Sequence, residues 1–251
     1  MGLLPKEKIK STIKNPKRLI MFGKPKVGKT SLLAELDNCL ILDFEKGSDY
    51  VDALKVQVDC LTSAEKKVPT QVSMEDIVIE ILKEKKPYKY LAIDTATAFE
   101  NMCLKDALAM YKATPIGKNF KGDDILLLPN GAGYWWLRKA FFKWIKICDK
   151  LADNVILVGH IKDKYVNDNG KEVVINALDL TGKIGPLTAS MSDAIGYVYR
   201  NKEKETIMSF GDTQSEVGSR CDHLKGKDIV IAKEDAEGNF TTFWNKVYIK
   251  E

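Results

Sequence analysis

The sequence predicts an α/β fold with a mostly parallel sheet flanked by helices and extended by antiparallel strands toward its C-terminal end. Three observations carry that expectation. Short apolar runs ending in polar residues alternate with stretches of helical spacing, as strand–helix–strand units do. A glycine- and lysine-rich loop joins the first apolar run to the first helical stretch. The C-terminal part strings short strands together with little helix between them, which favours antiparallel pairing.

The first apolar run is Leu19-Ile20-Met21-Phe22, and Gly23-Lys24-Pro25-Lys26-Val27-Gly28-Lys29-Thr30-Ser31 follows directly. This is the pattern GxxxxGKT, which arises by chance in roughly one chain in a hundred of this length. Glycine at both ends lets the loop curl so that successive backbone N–H groups point at a phosphate. Lys29 then reaches the β and γ oxygens of a nucleotide, and the Thr30 hydroxyl ligates Mg²⁺. The helical stretch Ser31-Leu32-Leu33-Ala34-Glu35-Leu36 comes next.

Residues 39–45 read as a buried strand ending in Asp43-Phe44-Glu45, with an extended piece at 56–58 and a helix over 73–86 opened by a capping box at Ser73. Tyr90-Leu91-Ala92-Ile93-Asp94-Thr95 is the next buried strand, followed by a helix over 97–111. Residues 112–133 hold Pro115, Gly117, Gly122, Pro129, Gly131 and Gly133 and show no period, so a long irregular excursion is expected. Helical spacing returns over 134–151, where the aromatic stripe reads as core and, as the alternative, a base-stacking platform. A strand over 155–160 ends in His160. A hairpin follows, with Lys164-Tyr165-Val166 and 172–175 around a turn at 167–170. Further strands are expected at 194–200, 206–210, 229–232 and 241–249.

The chain has 251 residues, 45% hydrophobic and 29% charged, which suits one α/β domain. Within a single domain over 1–251, residues 1–17 read as a basic N-terminal arm and 201–251 as a C-terminal strand extension. Five scattered cysteines and two histidines suggest neither a zinc site nor a disulfide framework. No apolar run approaches a membrane span and no secretory signal opens the chain, so a cytoplasmic protein without a membrane partner is expected. The net charge of +4 implies nothing by itself. Its clustering is more suggestive, because Lys6, Lys8, Lys10, Lys14, Lys17, Arg18, Lys24, Lys26 and Lys29 face only Glu7 in that stretch. The arm reads as a solvated terminus, or as a contact to nucleic acid or a neighbouring subunit.

Asp94 closes an apolar strand, where P-loop enzymes keep the carboxylate that orders Mg²⁺ and its waters. Thr95 stands where many ATPases keep a second carboxylate, so the group that orients or deprotonates water must come from elsewhere. Glu45, at a strand end where an open α/β sheet gathers ligands, is the first candidate, and Glu100 its rival. His160 also ends a buried strand and is placed to sense a γ-phosphate, or is satisfied by neighbouring backbone.

This order of elements, Gly-Lys-Pro-Lys-Val-Gly-Lys-Thr, Ile-Leu-Asp-Phe-Glu, Leu-Ala-Ile-Asp-Thr and a strand with a polar end, resembles the RecA-type ATPase core. It looks most like the small phage RecA-like proteins associated with single-strand annealing and recombination, over residues 18–200 and on toward the C-terminus. The resemblance implies an ATPase with ATP and Mg²⁺ as cofactors, either a phage protein in the host cytoplasm or a protein of the bacterial cytoplasm. It makes Glu45 the catalytic glutamate, Asp94 the metal-site aspartate and His160 the sensor heading a DNA-binding loop over 161–187. Lys162, Lys164, Tyr165, Lys171 and Lys183 would there meet single-stranded DNA, or belong to a solvated hairpin. It further implies a homo-oligomer and adds a single-strand-binding protein as a candidate partner. Two departures weigh against full strand exchange: the sensor is His where recombinases more often have Gln, and the loop reads as a hairpin.

RecA-like enzymes commonly receive a cation from a neighbouring subunit, and no unassigned Arg lies near the loop in sequence. The choice is among Lys183, Arg200 and Arg220. Arg220 is favoured, because Gly218-Ser219 leaves its backbone free to project it and Arg200 has Glu203 and Glu205 nearby. The alternatives are a helicase loader or other nucleotide-gated interaction module, and a P-loop small-molecule kinase. The scattered arginines argue against a kinase lid, and the missing NKxD argues against a GTPase.

Overall fold

A computed structural model of the chain describes residue 4 and residues 6–85, 88–168, 170–235, 237–238 and 240–250. The elements in order are β1 (Arg18–Gly23), α1 (Lys29–Ala34), β2 (Cys39–Asp43), β3 (Lys55–Gln57), α2 (Met74–Lys83), β4 (Tyr90–Asp94), α3 (Ala96–Lys112), α4 (Ala132–Leu151) and β5 (Asn154–Gly159). They continue with β6 (Ile161–Asp168), β7 (Lys171–Leu178), α5 (Ile184–Met191), β8 (Ala194–Arg200), β9 (Thr206–Ser209), β10 (Gly218–Ser219), β11 (Asp228–Glu234) and β12 (Phe240–Thr242).

The main sheet has the order β12-β11-β9-β8-β1-β5-β4-β2-β3, with β10 attached to β8. From β3 to β8 every pairing is parallel; β9, β10, β11 and β12 add antiparallel neighbours, as expected. The reason is visible in the strands themselves. β1, β2 and β4 are buried along their whole length, as strands covered on both faces by crossover helices must be. On one face Phe99 of α3 packs edge-on against Phe44 and against Phe141 of α4, at 5.4 and 5.3 Å between ring centres. On the other, Leu32 and Leu33 of α1 share a cluster with Trp244, Val247 and Tyr248.

β5 lies between β1 and β4, so the tips of β1, β5, β4 and β2 stand side by side at one end of the sheet. Gly23, where β1 turns into the loop, must be glycine: a Cβ there would stand 2.3 Å from the Val198 carbonyl oxygen of β8. The capping box of α2 forms, with Ser73 N–H donating to Asp76 at 2.9 Å; the expected helix end at Lys86 lies outside the described residues.

Three expectations need correction. The hairpin is longer than expected, pairing Ile161 with Leu178 at its base and Asp168 with Lys171 at its tip; Asn169 of its turn lies outside the described residues. The strand expected over 241–249 stops at Thr242, because the chain turns to bury Trp244, whose Nε1 donates to the Leu32 carbonyl at 2.7 Å. Arg18, counted above with the basic cluster, is not solvated. It is buried, ion-paired to Asp149, and donates to the Met191 carbonyl at 3.1 Å. All five cysteines are free, and burial pushes the Cys39 thiol up to about 12, which suits packing and not reactivity. Among the described residues no helix is long and apolar enough to cross a membrane.

Candidate nucleotide-binding site

The loop between β1 and α1 curls through left-handed backbone at Lys26 (φ 63°) and Gly28 (φ 98°). Only 7% of Lys29 is exposed, and its Nζ donates to the carbonyls of Gly23 at 3.0 Å and Lys24 at 2.9 Å, which fixes the ammonium inside the curl. Burial pushes the Lys29 pKa down, while Asp94 and Glu45 pull it back up. Thr30 Oγ1 donates to Asp94 Oδ2 at 2.7 Å, so the two residues singled out as oxygen donors for a cation are already side by side.

Asp94 ends β4 and is 6% exposed. Burial pushes its carboxyl up, Thr30 opposes that by its hydrogen bond, and the nearby Asp43 and Glu45 charges add to the rise. Asp43, opposite Asp94 in the β2–β4 register, accepts from Ser48 Oγ at 2.6 Å, Ser48 N at 2.9 Å, Glu45 N at 3.1 Å and Gly47 N at 3.3 Å. Those bonds shape the turn that presents Glu45. The Glu45 carboxylate accepts from Thr95 Oγ1 at 2.5 Å and lies 3.0 Å from His160 Nε2. Lys29, Thr30, Asp94, Glu45 and His160 therefore meet at one end of the sheet, carried by the loop and by the tips of β4, β2 and β5.

Sequence reasoning missed Asp43 and Thr95 as members of this group. Asp43 had a signal, a carboxylate two residues before Glu45 at the end of an apolar run; the partnership of Thr95 with Glu45 is visible only in three dimensions. Glu100 is elsewhere engaged. It is buried, and its carboxylate accepts from Thr181 N at 3.0 and 3.1 Å and from Thr181 Oγ1 at 3.2 Å, which ties α3 to the segment after β7.

The lysines of the hairpin fare differently. Lys164 pairs with Glu216 at 2.7 Å, and Lys162 donates to the Leu180 carbonyl and lies 3.8 Å from Asp179, so both have partners inside the chain. Tyr165 is 65% exposed near the middle of β6, and Lys171 opens β7 at the far end. Lys183 instead lines a cleft of about 400 Å³ with Tyr134, Trp135, Arg138, Thr181 and Gly182. The aromatic stripe of α4 divides accordingly: Phe141 and Trp144 are core, but Tyr134 and Trp135 are 47% and 44% exposed. Arg220 lies beside the start of β8, at the end of the sheet away from the phosphate loop, and is bound to Asp193 at 3.4 Å and to the Ser190 carbonyl at 2.6 Å.

A family model described as an AAA domain matches residues 15–236. The chain belongs to the AAA-domain family. Solved structures similar to this AAA-domain protein include a KaiC-like protein from the hyperthermophilic archaeon Pyrococcus horikoshii OT3, at 13% identity over 90% of this chain and 89% of that one, TM-score 0.45. A RadB recombinase structure matches at 13% identity over 89% of this chain and 90% of its own, TM-score 0.41. No curated protein matches the sequence significantly.

Proposed function

We propose that this AAA-domain protein is a RecA-like, Mg²⁺-dependent ATPase that acts on single-stranded DNA as an oligomer, in recombination or annealing of the phage type. The observation that carries the ATPase reading is the meeting of Lys29, the Thr30–Asp94 pair and the Glu45–His160 pair at the tips of adjacent strands. Lys29 stands where the β and γ oxygens of a nucleotide in the loop would lie. The Glu45 carboxylate is held by Thr95 and His160, with 40% of its side chain exposed. It is placed to accept a proton from water attacking the γ-phosphorus, while the phosphorus–oxygen bond to the β-phosphate breaks and ADP leaves with that electron pair.

The donor set fits a small hard cation. Among the described residues no three His, Cys, Asp or Glu side chains are arranged to hold a metal, whereas a hydroxyl beside a buried carboxylate suits Mg²⁺, which takes its other ligands from phosphate and water. Thr30 and Asp94 would hold it, and when bound it would neutralise charge on the β and γ oxygens.

His160 supports a coupling to the hairpin. Its ring touches Glu45, its carbonyl accepts from Asp179 N at 3.0 Å at the hairpin base, and Asp179 leads into Thr181 and the cleft. That cleft supports the DNA reading better than the hairpin lysines do. Exposed Tyr134 and Trp135 offer stacking faces, and Arg138 and Lys183 offer charge for the backbone, which is the combination single strands require.

The test is ATP turnover with and without single-stranded DNA over a series of salt concentrations. DNA is expected to accelerate turnover, with the gain fading as salt rises. Turnover indifferent to DNA at every salt concentration overturns the DNA assignment; absence of ATP hydrolysis under all conditions overturns the ATPase.

A further inference from the structure

The chain has four arginines, and the fold gives them different surroundings. Arg18 is buried against Asp149, Arg220 is held by Asp193 and Ser190, and Arg138 lines the cleft. Arg200 is different. It closes β8 and is exposed, and among the described residues its guanidinium has neither an ion pair nor a hydrogen bond. Of the two carboxylates near it in sequence, Glu203 makes no ion pair with it and Glu205 is bound by Lys233 at 2.5 Å and by Asn201 at 2.9 Å.

β8 explains where that guanidinium goes. The strand runs parallel to β1 with Val198 opposite Gly23, so Arg200 extends two residues past the point where β1 becomes the phosphate loop. Strand alternation puts Arg200 on the same face as Val198, which packs in the cluster of Leu32 and Leu33 under α1. Its Nη2 lies 3.9 Å from the position a Cβ on Gly28 would take. A group that stays cationic at all ordinary pH thus stands uncompensated beside the backbone of the loop.

Its side of the loop decides what it meets. The Thr30–Asp94 pair and Glu45 mark the γ end of a bound nucleotide, on the β5, β4 and β2 side of β1; β8 is the neighbour on the other side. A nucleotide leaving the loop toward β8 presents its α-phosphate and nucleoside. We propose that Arg200 binds the α-phosphate of the nucleotide from within the same chain. The assignment rests on the nucleotide reading of the loop. It separates this arginine from a cation acting on the γ-phosphate, whether in cis or from another subunit.

Because the α-phosphate is common to ATP and ADP, losing such a contact weakens both, whereas a γ-phosphate contact favours ATP alone. Calorimetric titration of ATP and of ADP, with Mg²⁺, into wild type, Arg200→Ala, Arg200→Lys and Lys29→Ala tests this. Arg200→Ala is expected to weaken ATP and ADP by a similar factor of about ten or more. Arg200→Lys, which keeps the charge but not the two-pronged geometry, should recover part of that loss. Unchanged affinity for both nucleotides overturns the proposal, and so does a loss confined to ATP. If wild type binds neither nucleotide, the reading of the loop falls as well, and the proposal with it.

Discussion

The tips of β2, β4 and β5 and the hairpin of β6 and β7 meet at His160, yet their charges are arranged in opposite ways. At the tips, Asp43, Asp94 and Glu45 crowd together with Lys29 as the nearby cation, and burial raises the carboxyl of Asp94 and lowers the ammonium of Lys29. On the hairpin, Lys162 and Lys164 are each matched by a partner at the surface. The difference teaches where to look for chemistry. Ionisable groups held in a disfavoured state inside a cleft cost stability and call for a functional reason. Exposed, satisfied pairs contribute about 0–1 kcal/mol and need none.

The largest effect should come from the cation at the tips. Lys29→Ala is expected to abolish ATP turnover and weaken nucleotide binding, since Lys29 is the side chain the loop encloses; phosphate release and nucleotide titration measure both. Wild-type turnover in that variant would dissolve the contrast, leaving the tips a structural cluster. Next comes Glu45→Gln, which keeps the size and removes the base. ATP should still bind while hydrolysis falls by roughly two to four orders of magnitude. Glu100→Gln is the matched control, because its carboxylate is spent on Thr181. A large fall there with full activity in Glu45→Gln would move the catalytic role to α3.

The same contrast separates what the sequence made legible from what it hid. The parallel sheet, β8 to the residue, and the convergence of Lys29, Asp94, Glu45 and His160 follow from apolar runs with polar ends, because buried parallel strands aim their ends at one edge. Arg200 was in view as a cation for a neighbouring subunit's site, but its place beside its own loop was hidden for the opposite reason: it is far from the loop in sequence, and only the β1–β8 pairing brings it close. The pairing of Lys164 was hidden too, because charge spacing does not reveal that Glu216 comes back to meet it. Tyr134 and Trp135 were submerged in the aromatic stripe of α4, whose period fixes a buried face but not where the exposed turn will sit.

The hairpin side yields a smaller, paired prediction. Trp135→Ala should lower affinity for single-stranded DNA about tenfold, the scale of one lost stacking contact. Lys164→Ala should leave both affinity and salt slope as they are, because its charge is matched by Glu216. Fluorescence anisotropy over a salt series reads both variants. A slope flattened by about 0.7 in Lys164→Ala would mean a phosphate contact and return the interface to the hairpin.

The smallest effect is the most direct probe of the strain at the tips. Asp94 has a folded-state pKa raised by burial and by the Asp43 and Glu45 charges, in spite of Thr30 and Lys29. A raised pKa means that folding disfavours the ionised form, so the cost is absent below the unfolded value, grows as pH rises from there through the folded value, and is constant above it. Asp94→Asn removes the charge and keeps an oxygen to accept from Thr30. Without Mg²⁺ or nucleotide at neutral pH, the variant should therefore melt a few degrees above wild type. The advantage should shrink toward acid pH, where wild-type Asp94 is itself protonated. The same variant should need more Mg²⁺ for turnover. Melting curves from pH 4 to 8 and a Mg²⁺ titration test the two halves separately. A variant less stable than wild type at neutral pH would mean that the Lys29 attraction outweighs burial and the like charges, so the tips carry no stored cost. An unchanged Mg²⁺ titration would place the metal carboxylate elsewhere.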